Sequence, residues 1–347
     1  MARKTRADLR LWFGIFIVWL VIFWLSISHF GFNRAVEVLA QLDFFELVLA
    51  ASFFFMAIMT SVMNWRFILR VMHVKVKGLL LSKIMLAGLF VDNILPNVTP
   101  SGEMTMSYLL SKNTKVPLSK SLASIVVYML SWFFGLIALA ILVLLNLLLT
   151  DRIPQETAII TSLMLIPFVI IFLLISYIAI NAKSAKKIIF SIVKWAFKWR
   201  YMRKFRHSEK RLLRWIDHTI NNFNRVFLKY FKDRKPVFVA GLIMLLHHFF
   251  VSVSFYYVVL AFGADISYGP IAGIFIFIAL VSLLSFIPGQ LVIYEVFTIS
   301  LLSLTIGVID SALVTNVIRL IQYWSIVFIG GFFALKLGLR TVKQRRV

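Results

Sequence analysis

Four ionisable side chains sit in stretches from which the sequence otherwise excludes charge. Of 14 Asp and Glu, only Asp92, Glu103 and Glu295 fall inside apolar segments, and Arg319 is the only cation deep within one. An ionisable group at the centre of a bilayer costs about 2.5–3.5 kcal/mol on insertion scales, so each is a candidate for function. Glu103 and Glu295 lie just past sequence breaks, where a returning half-helix presents the positive end of its dipole to a carboxylate. Arg319 is expected to pair with Glu295 at rest and to release it to a ligand. The bland alternative is a fixed ion pair, to Glu295 or to Glu103, that only holds the segments together. Asp92, Asn93, Asn97, Thr99, Ser101 and Gln290 supply donors and acceptors beside these charges, to bind a polar group or to cap broken helix ends. His247 and His248 are adjacent and point to different helix faces, which suits core histidines better than a metal pair. No metal site and no cofactor are expected.

The elements that position these groups are two interrupted apolar stretches. In Asp92–Glu103, Pro96, Pro100 and Gly102 interrupt a sequence that is apolar from Ile84 to Val91 and again from Met104 to Leu110. Neither flank reaches the roughly 20 residues needed to cross a bilayer. Proline in a helix interior removes a hydrogen bond. The chain is therefore expected to enter the membrane, stop part-way and turn back. Broken backbone at that depth is tolerated where it is buried in protein or lines a polar cavity. Pro288-Gly289-Gln290 interrupts Pro270–Gly307 in the same way, as a second re-entrant hairpin or as two full spans.

Composition fixes the class. The chain has 347 residues, 61% of them hydrophobic, with 34 Phe and a mean hydropathy of +0.93. These values describe an all-α polytopic membrane protein. The formal charge of +23 falls between apolar spans, which points to topology signals and anionic lipid rather than nucleic acid. The absence of Cys excludes disulfides and thiolate chemistry. No cleavable signal peptide is expected, because Leu11–Phe30 is long enough to span.

Charge placement then orders the chain. Full spans are expected at Leu11–Phe30, Leu47–Asn64, Ser121–Leu149, Thr157–Asn181, Pro236–Phe262 and Ser311–Leu335, with both termini cytoplasmic in a cell membrane. Lys83 and Lys112 flank the first hairpin on the cytoplasmic side. No Lys or Arg occurs from Pro236 to Ile318, so the second hairpin opens to the outside. Six spans and two broken hairpins make a single eight-helix domain over residues 1–347. Its two halves share one plan in opposite orientations, an inverted repeat of the kind transporters use. Residues 183–235 carry 17 of the 37 Lys and Arg. Their apolar positions recur on one face, giving amphipathic helices expected to lie in the cytoplasmic interface with Trp195, Trp199 and Trp215 at headgroup level.

The broken stretches also resemble a known family. Asn93-Ile94-Leu95-Pro96, then Thr99-Pro100-Ser101-Gly102-Glu103 and Tyr108-Leu109-Leu110, resemble the first signature of the flippase-like membrane domain of lysylphosphatidylglycerol synthases. Pro288, Gly289 and Glu295 match the second, Arg319 the arginine of the following span, and Gly330-Gly331 its later small pair. The chain departs from the pattern at Met106, where the family often has Arg, and at Tyr128-Met129, where it has Glu-Arg. Gln290 and Val292 stand where it has glycine. The synthases also carry a soluble aminoacyl-transferase domain. This chain ends a dozen residues after Leu335, so the resemblance implies lipid handling without lipid synthesis.

Together these readings point to a flippase- or scramblase-like transporter of polar lipid headgroups, not an enzyme, with anionic membrane lipids as partners. A membrane-embedded enzyme of lipid or lipid-linked sugar metabolism stays open, as does an ion-coupled solute transporter using Glu103 and Glu295. Self-association and a partner enzyme also stay open.

Overall fold

In a computed structural model of the chain, residues 40–95, 101–149, 166, 169–170, 172–174, 176–178, 180–197, 209–283, 287 and 289–338 are described. The expected first span, Pro96, Asn97, Thr99, Pro100, Pro288, Trp199 and most of Thr157–Asn181 lie outside them. Helices account for nearly all of the described residues, and no strand occurs among them.

Four long helices set the frame: α1 (Phe44–Val71), α4 (Leu118–Leu149), α7 (Arg234–Ala261), and a final rod in three sections, α10 (Val308–Ile318), a π-helical turn (Arg319–Trp324) and α11 (Ser325–Gly338). Each is long and apolar enough to cross a membrane. Side chains fix two of their starts: Asp43 accepts from the backbone N–H of Phe45 at 2.8 Å, and Asp233 from that of Lys235 at 3.1 Å. These bonds satisfy donors that a first helical turn leaves open.

Short helices fill the two intervals. Between α1 and α4 come α2 (Gly78–Ile94) and α3 (Ser101–Asn113), packed on each other. Between α7 and the final rod come α8 (Tyr268–Leu283) and α9 (Ile293–Ile306). At 1.5 Å per residue, α8 and α9 rise only about 24 and 21 Å, short of the roughly 30 Å hydrocarbon core. The 17 residues of α2 start six positions before the apolar flank does. Its early Lys83 keeps its ammonium 5.9 Å from the Phe333 ring centroid, so a long cation stem extends the helix beyond its apolar run.

α1 lies against α7, α7 also against α4, and α11 against α2. Two apolar cores result. One gathers Trp65, Ile84, Leu110 and Met244; the other gathers Leu136, Phe255, Ile271 and Ile318. In lipid the driving force between helices is close packing rather than removal of apolar surface from water, which favours small residues at contacts. Gly330 serves this at α2, where an added Cβ would overlap the carbonyl oxygen of Leu86. Leu304, Phe328 and Phe55 stay largely exposed, as lipid-facing residues do.

The basic segment is helical over nearly all of its described residues. It forms α5 (Ala182–Ala196) and α6 (Glu209–Phe231), joined by the Lys186–Asp217 ion pair at 2.7 Å. However, α6 packs on α4, and its Phe227 is fully buried in the first core. Part of its apolar face is thus turned to protein. Trp195 on α5 does stay exposed.

Candidate functional site at the helix breaks

The second break is built from unusual backbone. Gly289, Gln290 and Val292 have φ of 62°, 57° and 72°, a left-handed turn that reverses the chain into α9. Glu295 falls in the first turn of that helix, where unpaired N–H groups and the helix dipole favour a carboxylate. Across from it, Arg319 opens the π-helical turn. The Nε of Arg319 donates to Glu295 Oε1 at 2.7 Å, and its Nη2 donates to the carbonyl oxygen of Gln290 at 3.3 Å. The guanidinium carbon is 4.1 Å from the ring centroid of Tyr294 and 5.0 Å from that of Tyr323. Cation–π contact of this kind strengthens when desolvated. Glu295 Oε2 is buried without a hydrogen-bond partner among the described residues. The ion pair is therefore held on its Arg side and incomplete on its Glu side.

The first break is closed by Asp92. Its Oδ1 accepts from the backbone N–H of Gly102 at 3.4 Å and from the Ser101 hydroxyl at 3.5 Å. The last turn of α2 thereby caps the first turn of α3. Glu103 lies in that same first turn, within electrostatic reach of Asp92.

The two breaks meet. The Tyr323 hydroxyl donates to the carbonyl oxygen of Asn93 at 3.3 Å. A Cβ added at Gly289 would stand 2.5 Å from that hydroxyl, so a glycine lets the second turn come this close. Between them lies a cavity of about 130 Å³ lined by Asp92, Asn93, Gln290, Arg319, Gln322 and Tyr323, among others.

Asp92, Asn93, Gln290 and Arg319 thus share one cavity, with Gly289 at its wall and Glu295 tied to it through Arg319. Ser101, Gly102 and Glu103 sit on the α3 side of Asp92. The ion partner of Arg319 is Glu295, not Glu103. His247 and His248 are, as expected, core histidines: His247 Nδ1 is 2.8 Å from the Ala57 carbonyl oxygen, and His248 Nε2 is 3.1 Å from that of Trp132.

Tyr294, Gln322 and Tyr323 were not expected in the site. Their positions carry a signal in retrospect, because Tyr294 neighbours Glu295 and Tyr323 follows Arg319 by four residues, about one helical turn. The π-helical turn has no signature in the apolar period. Such turns are rare and recur at functional positions.

The sequence has known relatives. The sequence matches the family described as lysylphosphatidylglycerol synthase TM region over residues 11–330. A UPF0104 membrane protein of Methanothermobacter thermautotrophicus is 26% identical over 301 residues, covering 85% of this chain and 86% of the relative. One from Pyrococcus horikoshii is 23% identical, with coverages of 93% and 95%. Another from Methanocaldococcus jannaschii is 22% identical, with 92% of each chain covered. With the match running through both breaks and Arg319, this chain is a membrane protein that belongs to the lysylphosphatidylglycerol synthase transmembrane-region family.

Proposed function

We propose that this protein carries the polar headgroup of an anionic membrane lipid between leaflets and performs no covalent chemistry on it. The observation behind this reading is that both helix breaks and Arg319, itself paired with Glu295, meet on one cavity that carries polar side chains inside an otherwise lipid-compatible molecule. Backbone broken at membrane depth survives around such a cavity, and membrane transporters bind cargo at the meeting of broken helices. The family's association with a lipid-modifying synthase supports a lipid as cargo.

In this reading α2–α3 and α8–α9 are re-entrant hairpins that enter from opposite faces of the cell membrane. With six full spans they form an inverted repeat with cytoplasmic termini. The sequence order of long helix, two short helices and long helix, used twice, supports it. The cavity of about 130 Å³ falls below the roughly 300–1,000 Å³ of ligand pockets. A headgroup therefore needs more room than this conformation offers, and in this reading the Tyr323–Asn93 contact parts to admit it. An anionic headgroup then competes with Glu295 for the guanidinium of Arg319, while Asn93, Gln290 and Gln322 offer it further polar contacts.

The test is lipid movement in vesicles containing the purified protein and a phosphatidylglycerol labelled with a dithionite-quenchable fluorophore. Wild-type protein should expose inner-leaflet probe to external dithionite, and Arg319→Gln should not. Quenching no greater than in protein-free vesicles would defeat the proposal.

A further inference from the structure

A second surface is built away from the Arg319 cavity, on the helix pair α5–α6. Asn181 ends the span expected at Thr157–Asn181 and caps α5. Its Oδ1 accepts from the backbone N–H of Lys183 at 3.1 Å and from that of Ser184 at 3.2 Å, satisfying donors that a first helical turn leaves open. From α6, Asn224 Nδ2 donates to the Ile180 carbonyl oxygen at 2.7 Å, so hydrogen bonds hold the corner on both sides. At the far end only Lys232 and Asp233 separate α6 from α7, a helix long and apolar enough to cross a membrane. The pair is thus bracketed by the end of an expected span and the start of a membrane-length helix.

The two helices use their apolar residues differently. On α6, Ile220 and Phe227 are buried, Phe227 within the first core. α5 is tied to α6 by the Lys186–Asp217 ion pair at 2.7 Å, and Ala185 and Phe197 are buried beside it. The rest of α5 stays open. Lys183, Lys187 and Lys194 are exposed and share one edge, being spaced by one and two helical turns. No carboxylate occurs within α5, and none pairs with these three ammonium groups among the described residues. On the adjoining edge Ile188 and Trp195, two turns apart, are 43% and 57% exposed.

An apolar edge beside a row of unpaired lysines suits neither water nor the bilayer centre. It suits the boundary between them, where apolar side chains enter the acyl region and lysine stems carry their charge to headgroup phosphates. We propose that α5 lies on the cytoplasmic leaflet and binds anionic phospholipid through Lys183, Lys187 and Lys194. Ile188 and Trp195 insert below the headgroups, and α6 serves as the anchor that docks α5 to the helix bundle. The excess of cations between Lys183 and Lys235 places this surface on the cytoplasmic side. A second copy of the chain is a poor cover for it, since 37 Lys and Arg face only 14 Asp and Glu. Each lysine near an anionic surface favours it about fivefold, and salt weakens the effect.

The test reads lipid contact rather than lipid movement, so it stands apart from the cargo of the cavity. Because the chain has no cysteine, Ile188→Cys gives the full-length protein a single site for an NBD fluorophore. The labelled protein is placed in phosphatidylcholine vesicles doped with phosphatidylglycerol or phosphatidylcholine spin-labelled near the headgroup. Both dopants should quench the label, the anionic one more strongly. Substituting Lys183→Gln, Lys187→Gln and Lys194→Gln together should remove that excess. Raising potassium chloride with the three lysines intact should remove it too, which serves if the triple variant does not fold. Absence of quenching by either dopant overturns the surface, and blue-shifted emission in that case would show protein, a second copy included, covering the face. Equal quenching by both dopants at low salt overturns the choice of anionic lipid. Vesicles that show this contact but no lipid movement would spare the surface and defeat the transport reading; movement without contact would do the reverse.

Discussion

The Nε of Arg319 donates to Oε1 of Glu295 over 2.7 Å, and their side chains are only 5% and 8% exposed. Removing one partner of a buried pair typically costs about 3–5 kcal/mol, whereas removing both costs far less. Glu295→Gln and Arg319→Gln should therefore each lower the thermal transition in detergent, and the double variant should recover part of the loss. Recovery stays incomplete because Arg319 also bonds the Gln290 carbonyl and lies between two tyrosine rings. Strictly additive losses in the double-mutant cycle would show that the two charges are not coupled.

That pair was legible in the sequence for a physical reason. Charge is so costly in an apolar segment that Arg319, Asp92, Glu103 and Glu295 stand out, and an ion pair between neighbouring segments is the simplest relief. The breaks were legible too, because Pro96, Pro100 and the Pro288-Gly289 turn cannot sit inside uninterrupted helix. The choice of Glu295 over Glu103 needed the turn that swings α9 against the final rod. The contact between Ser61 and His247 joins residues 186 apart and leaves no trace in local periodicity. The π-helical turn and the docking of Phe227 on α4 were hidden for the same reason, since both depend on neighbours that only the fold supplies.

Val292 holds φ 72° and ψ −51°, close to a γ-turn conformation that is rare and strained for a side chain bearing a branch at Cβ. It is about half exposed, so its side chain contributes little packing. Val292→Gly should raise stability by about 1 kcal/mol, read as a higher thermal transition. Gly289→Ala should do the opposite, since it adds a Cβ 2.5 Å from Tyr323 Oη at a positive φ. A lower transition for Val292→Gly would show that this backbone is not strained.

Gly330 and Gly331 are adjacent but unequal. A Cβ at Gly330 meets the backbone of Leu86, whereas one at Gly331 meets the Phe90 ring at 2.8 Å. A ring can turn and a helix backbone cannot give way locally. Gly330→Ala should thus cost more stability than Gly331→Ala, by about 1–3 kcal/mol as overpacking typically does. Equal losses would mean that α11 slides on α2 as a whole.

The chain has no cysteine, so single introduced thiols report sidedness cleanly. Lys77 precedes α2 and Lys115 follows α3, and a re-entrant hairpin puts both ends on one side. Lys77→Cys and Lys115→Cys should react with an impermeant maleimide only from the cytoplasm, and Asp265→Cys, between α7 and α8, only from outside. Reaction of Lys115→Cys from outside would mean that α2 and α3 cross together, and the inverted repeat would fail.

Tyr323 joins the two breaks and also covers Arg319, and these roles can be separated. Tyr323→Phe deletes the hydroxyl that donates to the Asn93 carbonyl at 3.3 Å but keeps the ring face 5.0 Å from the guanidinium. The lost bond is worth about 0.5–1.5 kcal/mol, so the thermal transition should fall only slightly. If this contact must part before cargo enters, weakening it lowers the cost of opening, and probe translocation in vesicles should quicken. Tyr323→Ala also strips the ring from Arg319, and it should lose stability and translocation together. A Tyr323→Phe protein that is less stable yet translocates at the wild-type rate would reduce the Tyr323–Asn93 bond to scaffolding and place the opening step elsewhere.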